Sequence, residues 1–379
     1  VKSKTSMFLA CAITAALGLT AAGASRAEDV GHAREHAVFV MTNDANSNEV
    51  VAFERYGNGA LRELHSYKTG GRGSGGTVDP LASQGSLTLS DDGNWLFAVN
   101  AGSGTLSIFR VEGSRLLLTD QAPTEGSEPN AVAQHGDLVY VLNTAGSSSV
   151  VGFTFNHGHL QRIDDSLRLL SGNGVGSASI AFSPDGSALL VTERATNSID
   201  VFNVLPNGHL SSLTRNPSAA AGVFAATFAP NGTVIVSETG PGGPNASTAS
   251  SYRLGPNRTL AAISTGVATL GTANCWNAIT PDGKFAYVSN SGSASISGFA
   301  IAANGALSPL AGTVVANNPS GSANLDIAIS ADGSFLFTLN AAVGNIGVFA
   351  IDKQSGALRN LGSVGDLPAG AGLNGIAAN

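Results

Sequence analysis

One phrase recurs seven times along this chain, at a mean spacing of about 50 residues, the interval of an arrayed structural repeat. It consists of an apolar strand, a turn of the Ser-Pro-Asp-Gly type, a second apolar strand ending in Asn or Glu, and a third strand. The clearest turns are Ser183-Pro184-Asp185-Gly186, Thr280-Pro281-Asp282-Gly283 and Ser330-Ala331-Asp332-Gly333. Ser90-Asp91-Asp92-Gly93 and Ala229-Pro230-Asn231-Gly232 are variants, and Gln134-His135-Gly136-Asp137 is degenerate. The second strand closes at Asn43, Asn100, Asn143, Glu193, Glu238, Asn290 and Asn340. A second family of turns, such as Asn207-Gly208, Asn304-Gly305 and Ser355-Gly356, leads into a fourth strand. Such pairs supply the positive φ angles that tight hairpins require.

These strands imply an all-β chain: a seven-bladed β-propeller of four-stranded antiparallel blades. The first copy starts at its second strand, at 38–42, and the segment 374–378 reads as an inner strand with nothing after it. Together they form one blade, which closes the ring and removes exposed sheet edges. The propeller is expected to occupy residues 28–379.

Residues 1–27 are of another kind. Lys2 and Lys4 precede an apolar stretch at 7–22, and Ser25-Arg26-Ala27 places small residues at a cleavage position. This reads as a secretory signal cleaved near Ala27, too short in its apolar part for a membrane span. Cys11 lies inside it, leaving Cys275 alone and no internal disulfide. The expectation is a bacterial periplasmic or secreted protein. With 19 Lys+Arg against 26 Asp+Glu and no basic run, nothing marks a nucleic-acid or membrane surface.

The phrase Phe285-Ala286-Tyr287-Val288-Ser289-Asn290, followed by Ala294-Ser295-Ile296-Ser297-Gly298-Phe299, resembles the Tyr-Val-Thr-Asn propeller repeat. With the Asn-Gly-x-Leu segments at 207–210 and 304–307, nearly the whole chain resembles the seven-bladed lactonase family. That family includes 6-phosphogluconolactonases and carboxymuconate cyclases. The resemblance implies hydrolysis of a lactone or related cyclic ester in the central funnel. It also implies histidine, arginine and glutamate there. The histidines fall elsewhere, on hairpins and outer strands, and Asn130 and Ser179 stand at the funnel positions instead.

Residues beginning the inner strands line the ligand face of such a ring. They nominate Asn130, Ser179, Phe224, Trp276, Asn277 and Asp326 as substrate contacts for a small polar ligand. Glu193 and Glu238 replace Asn in adjacent copies, and paired carboxylates divide acid and base roles. They are nominated as catalytic, with Arg194 as oxyanion stabiliser. No metal-ligand spacing or cofactor motif is present. The glycine-rich 70–76 and Pro241-Gly242-Gly243-Pro244 segments read as loops. A small-molecule substrate and a monomer are expected. The competing reading is a non-catalytic secreted propeller that binds a protein, glycan or metabolite through the same face.

Overall fold

The computed structural model describes residues 36–379. The signal segment expected at 1–27 lies outside the described residues. Seven antiparallel sheets follow one another, each meandering from an inner to an outer strand. Blade 1 is composite: Ile376–Ala378 is its inner strand, and His36–Met41, Glu49–Arg55 and Leu61–Lys68 complete it. The register of this closure is Val38↔Ala378, Phe39↔Ala377 and Val40↔Ile376. Blades 2 to 7 begin with inner strands Leu87–Leu89, Ser127–His135, Ser177–Phe182, Val223–Phe228, Asn274–Ile279 and Asn324–Ile329. The seven-bladed ring expected from the repeats is present.

The repeated turn works the same way in several blades. In blade 4 the Ser183 hydroxyl donates to Asp185 at 2.6 Å, and the same Asp oxygen accepts Ser187 N–H at 3.1 Å. Gly186 takes φ 69°, and Ser183 Oγ accepts the Ala188 N–H that starts the next strand. Thr280/Asp282 and Ser330/Asp332 repeat these bonds. The side chains thus complete hydrogen bonds that the chain reversal would leave unmade.

Burial grades outward from the ring axis. Second strands Ala188–Glu193, Phe285–Asn290 and Phe335–Asn340 are buried at every position, because blades pack on both of their faces. Outer strands such as Leu61–Lys68 are exposed or half-buried at all but the first position. Phe39, Phe97, Phe109 and Phe153 join blades 1 to 3 in one apolar cluster, each buried ring stabilising the seam by about 1.5–3 kcal/mol. Hydroxyls also tie one blade to the next. Tyr140, Ser251 and Tyr287 donate to the carbonyls of Gly208, Gly305 and Gly356, at 2.5, 2.7 and 2.7 Å.

Two blades depart from four regular strands. In blade 3 the outermost position is shared by His159–Arg162 and Arg168–Asn173, both paired with Ser147–Asn156. The break falls where Asp165 adopts φ 55°. In blade 4 the outer strand is only Thr214–Pro217, paired with Ser198 to Val201, and the rest of the third strand is covered by the Val204↔Leu210 bridge and by Ser211.

Candidate functional site at the plugged mouth of the ring

Loops that lead into inner strands open on one face of the ring. Most are short, but the link from blade 1 to blade 2, residues 69–86, is long enough to cross the mouth of the central channel. Leu81 and Ser83 within it are buried. Gln84 N–H donates to Ala178 O of blade 4 at 2.8 Å, and Ser83 Oγ to Asn130 O of blade 3 at 2.6 Å. Trp276 Nε1 of blade 6 donates to Ser83 O at 2.8 Å. The Gln84 amide clasps the Asn277 backbone, accepting its N–H at 2.9 Å and donating to its carbonyl at 3.0 Å. The segment is therefore a plug fastened to three blades.

Asp79 emerges from this plug as a half-buried carboxyl. Burial raises its pKa to about 7, against the opposing pull of an Asn374 Nδ2 hydrogen bond and the Arg194 charge. Arg194 is exposed, anchored by Nε to Gly176 O at 3.2 Å, with its guanidinium 5.5 Å from the centre of the Phe224 ring. Phe224 in turn packs on Trp276, centroids 5.1 Å apart. Burial raises the Cys275 thiol pKa, and the charges of both Asp79 and Arg194 reach it. Buried Asn130 donates to Ser177 O at 2.8 Å, while its Oδ1 has no donor among the described residues. The mouth thus places a carboxyl raised to about 7 within electrostatic reach of the Arg194 guanidinium, with Phe224 and Trp276 buried beneath. Such a pair can exchange a proton and steady an oxyanion.

The sequence-nominated residues divide between this mouth and the blade seams. Arg194, Phe224 and Trp276 gather at the mouth, and Asn130 and Asn277 hold its plug. Ser179 is buried in a seam, accepting Ala226 N–H at 3.0 Å and paired with Thr192 Oγ1. Asp326 is buried, its oxygens accepting Ile327 N–H at 2.9 Å and Ile376 N–H at 3.2 Å. Burial raises its pKa to about 7. It lines a cavity of about 230 Å³ running between the inner strands of blades 7, 1 and 2.

Glu193 and Glu238 are fully buried, and no hydrogen bond joins them among the described residues. Glu238 accepts from Ser218 Oγ at 3.0 Å, Ala220 N–H at 3.2 Å, Thr248 Oγ1 at 2.7 Å and Ser250 Oγ at 2.9 Å. Glu193 accepts from Ser171 N–H at 2.9 Å, the Ser171 hydroxyl and Thr196 Oγ1 at 2.7 Å. Burial would raise its pKa, but hydrogen bonds from Ser171, Thr196 and Asp200 outweigh it and hold Glu193 below the ordinary value.

Their Asn counterparts do the same work. Asn100 donates to Thr105 and Ser107 at 3.0 and 2.8 Å, and Asn290 to Ser295 and Ser297 at 3.2 and 2.8 Å. Each Asn presses on a glycine of the incoming loop: a Cβ on Gly71 would lie 2.4 Å from Asn100, and one on Gly271 2.1 Å from Asn290. Those glycines close Thr69-Gly70-Gly71 and Thr269-Leu270-Gly271. Before Glu238 the corresponding run is Ser218-Ala219-Ala220. There the longer carboxylate reaches Ser218 and the Ala220 N–H.

The match to known proteins supplies the family. The model of the family described as "Lactonase, 7-bladed beta-propeller" matches residues 32–175, 134–238 and 248–371. The chain belongs to this lactonase family. Among curated proteins no match is found. Solved structures of similar fold include a putative 6-phosphogluconolactonase from Bacteroides uniformis. It is 21% identical, with TM-score 0.70, covering 91% of this chain and 100% of that one. The Pseudomonas aeruginosa periplasmic gluconolactonase PpgL is 18% identical, with TM-score 0.67, covering 90% and 98%. Likeness at these identities is one of fold. Among the described residues of this lactonase-family chain, no group of three or more His, Cys, Asp or Glu is placed to hold a metal ion. Among the described residues no helix is long and apolar enough to cross a membrane.

Proposed function

We propose that this protein hydrolyses a lactone or related cyclic ester at the plugged mouth, with Asp79 as general base and Arg194 as oxyanion stabiliser. The observation that carries the reading is Asp79 itself, raised to about 7 by burial and close enough to Arg194 to feel its charge. A base poised near the working pH combines sufficient deprotonation with sufficient basicity. Asp79 accepts a proton from water as the water oxygen bonds to the lactone carbonyl carbon. Arg194 meets the negative charge that develops on the carbonyl oxygen. The ring C–O bond then breaks, and the proton held by Asp79 passes to the departing alkoxide, giving a hydroxy acid. Phe224, buried beneath the Arg194 guanidinium, helps to hold it in place.

Family membership supports the reaction class, and the periplasmic relative together with the leader-like start of the chain supports export. The engagement of Glu193 and Glu238 within the seams favours the other reading, a non-catalytic binder. Turnover of a lactone panel by purified protein separates the two. Asp79→Asn is expected to lower kcat/KM by about 10²–10⁴-fold, whereas Glu238→Gln retains the wild-type value per folded molecule. Wild-type protein inert across the panel would leave the binding reading standing.

A further inference from the structure

The ring face opposite the plug carries a cavity of about 530 Å³ where blades 4 and 5 meet. It lies between the turns of the two blades, beside the irregular outer edge of blade 4. Thr214–Pro217 covers the third strand only from Ser198 to Val201; beyond it the Val204↔Leu210 bridge and the Ser211 N–H bond to Asn203 O at 3.0 Å close the hairpin, and Asn203 lines the cavity. Arg258, on the blade 5 turn at φ 62°, reaches across the gap. It donates from Nη1 to Ser211 Oγ at 2.7 Å and to Ser212 O. Its Nε and Nη2 meet no protein acceptor among the described residues. Arg253 also lines the cavity; among the described residues its guanidinium has one acceptor, Asn304 O of blade 6, reached by Nη2 at 3.3 Å.

The opposite wall is the blade 4 turn. All three hydrogen bonds to Asp185 fall on Oδ1, from Ser183 Oγ, Ser187 N–H and Ser187 Oγ. They keep its pKa below the ordinary carboxylate range, so it is ionised, and Oδ2 is left to accept. Phe228 and Pro230 form an apolar side.

We propose that this cavity binds a small polyhydroxy carboxylate. The unused donors of Arg258, on the blade 4 side, and of Arg253, toward blade 6, each suit a carboxylate, the group that Arg binds best. Asp185 Oδ2 and the Asn203 amide suit hydroxyls, and Phe228 and Pro230 suit the carbon chain. The volume is within the small-molecule range of roughly 300–1,000 Å³. A neutral sugar would leave the guanidinium donors unused, and a second anionic group would face Asp185. The proposal does not rest on the reaction at the mouth, and binding is its readout.

The test is calorimetric titration of the full-length protein with sodium gluconate, with glucose and inorganic phosphate as comparison ligands. Saturable one-site gluconate binding is expected, weakened about tenfold or more in Arg253→Gln and in Arg258→Gln, and unchanged in Asp79→Asn. Arg253 has a single carbonyl partner, so its variant decides the matter if Arg258→Gln fails to fold. Absence of gluconate binding, equal binding of glucose or phosphate, or affinity unchanged in Arg253→Gln overturns the assignment. Loss of binding in Asp79→Asn would place the ligand at the mouth and also overturn it.

Discussion

Asp200 lies fully buried beside Glu193, and neither of its oxygens has a hydrogen-bond donor among the described residues. Arg215 Nε stands 3.9 Å away. Burial, the hydrogen bond shared with Glu193 and the Glu193 charge all raise the Asp200 pKa well above the ordinary Asp range. The pair therefore holds one proton, carried by Asp200 and shared with Glu193. A carboxyl raised on folding binds a proton that the unfolded chain has released. Its contribution is present at low pH and is lost as pH climbs from the ordinary carboxylate range to the raised value. Asp200→Asn offers Glu193 an amide donor that does not titrate. Denaturant unfolding at several pH values is expected to show a slope shallower by about 1.4 kcal/mol per pH unit in that window; an unchanged slope would contradict the shared proton. The sequence showed the exceptional glutamates but not this use of them. Its signal lay apart in the chain, in the missing glycine of Ser218-Ala219-Ala220 and in the Asp at position 200.

At the scale of elements, the plug decides where chemistry can occur. The repeat reveals what each blade shares, whereas Asp79 lies in a link with no counterpart in the other copies. The repeat pattern therefore points to Trp276, Phe224 and Arg194 and passes over Asp79. The length of 69–86, greater than that of any other link into an inner strand, was the available sign. Leu81 and Ser83, buried within a loop, show that this segment is packed as core. Trp276→Phe keeps the ring but leaves Ser83 O without its indole donor. A loss of about 1–3 kcal/mol in unfolding free energy is expected, measured by urea denaturation, with weaker lactone turnover as the plug loosens. Unchanged stability would mean that the plug is not fastened through this bond. Blade 4 carries the complementary lesson: its irregular outer edge, invisible to the seven-fold pattern, borders the cavity on the other face.

For the whole molecule, the ring was legible because the same turn and strand pattern returns seven times and the two ends are complementary halves of one blade. Closure rests on Ile376–Ala378, the Met41 N–H bond to Gly375 O at 3.1 Å and the Ala37 N–H bond to Asn379 Oδ1 at 2.6 Å. Deleting residues 374–379 exposes the edge of His36–Met41 and removes the Asn374 partner of Asp79. Lower thermal stability and association in size-exclusion chromatography are expected, since a bare strand edge templates pairing. A truncated chain as stable and dispersed as the full one would contradict a closed ring. The most direct test of the mouth as reaction centre is the pH dependence of kcat/KM for lactone hydrolysis, corrected for uncatalysed opening. Because a base must be deprotonated to act, wild-type kcat/KM should rise with pH and level off above about 7. Asp79→Asn should lose both the rate and that inflection. A variant that keeps the inflection, at near wild-type rate, would show that another group does the work.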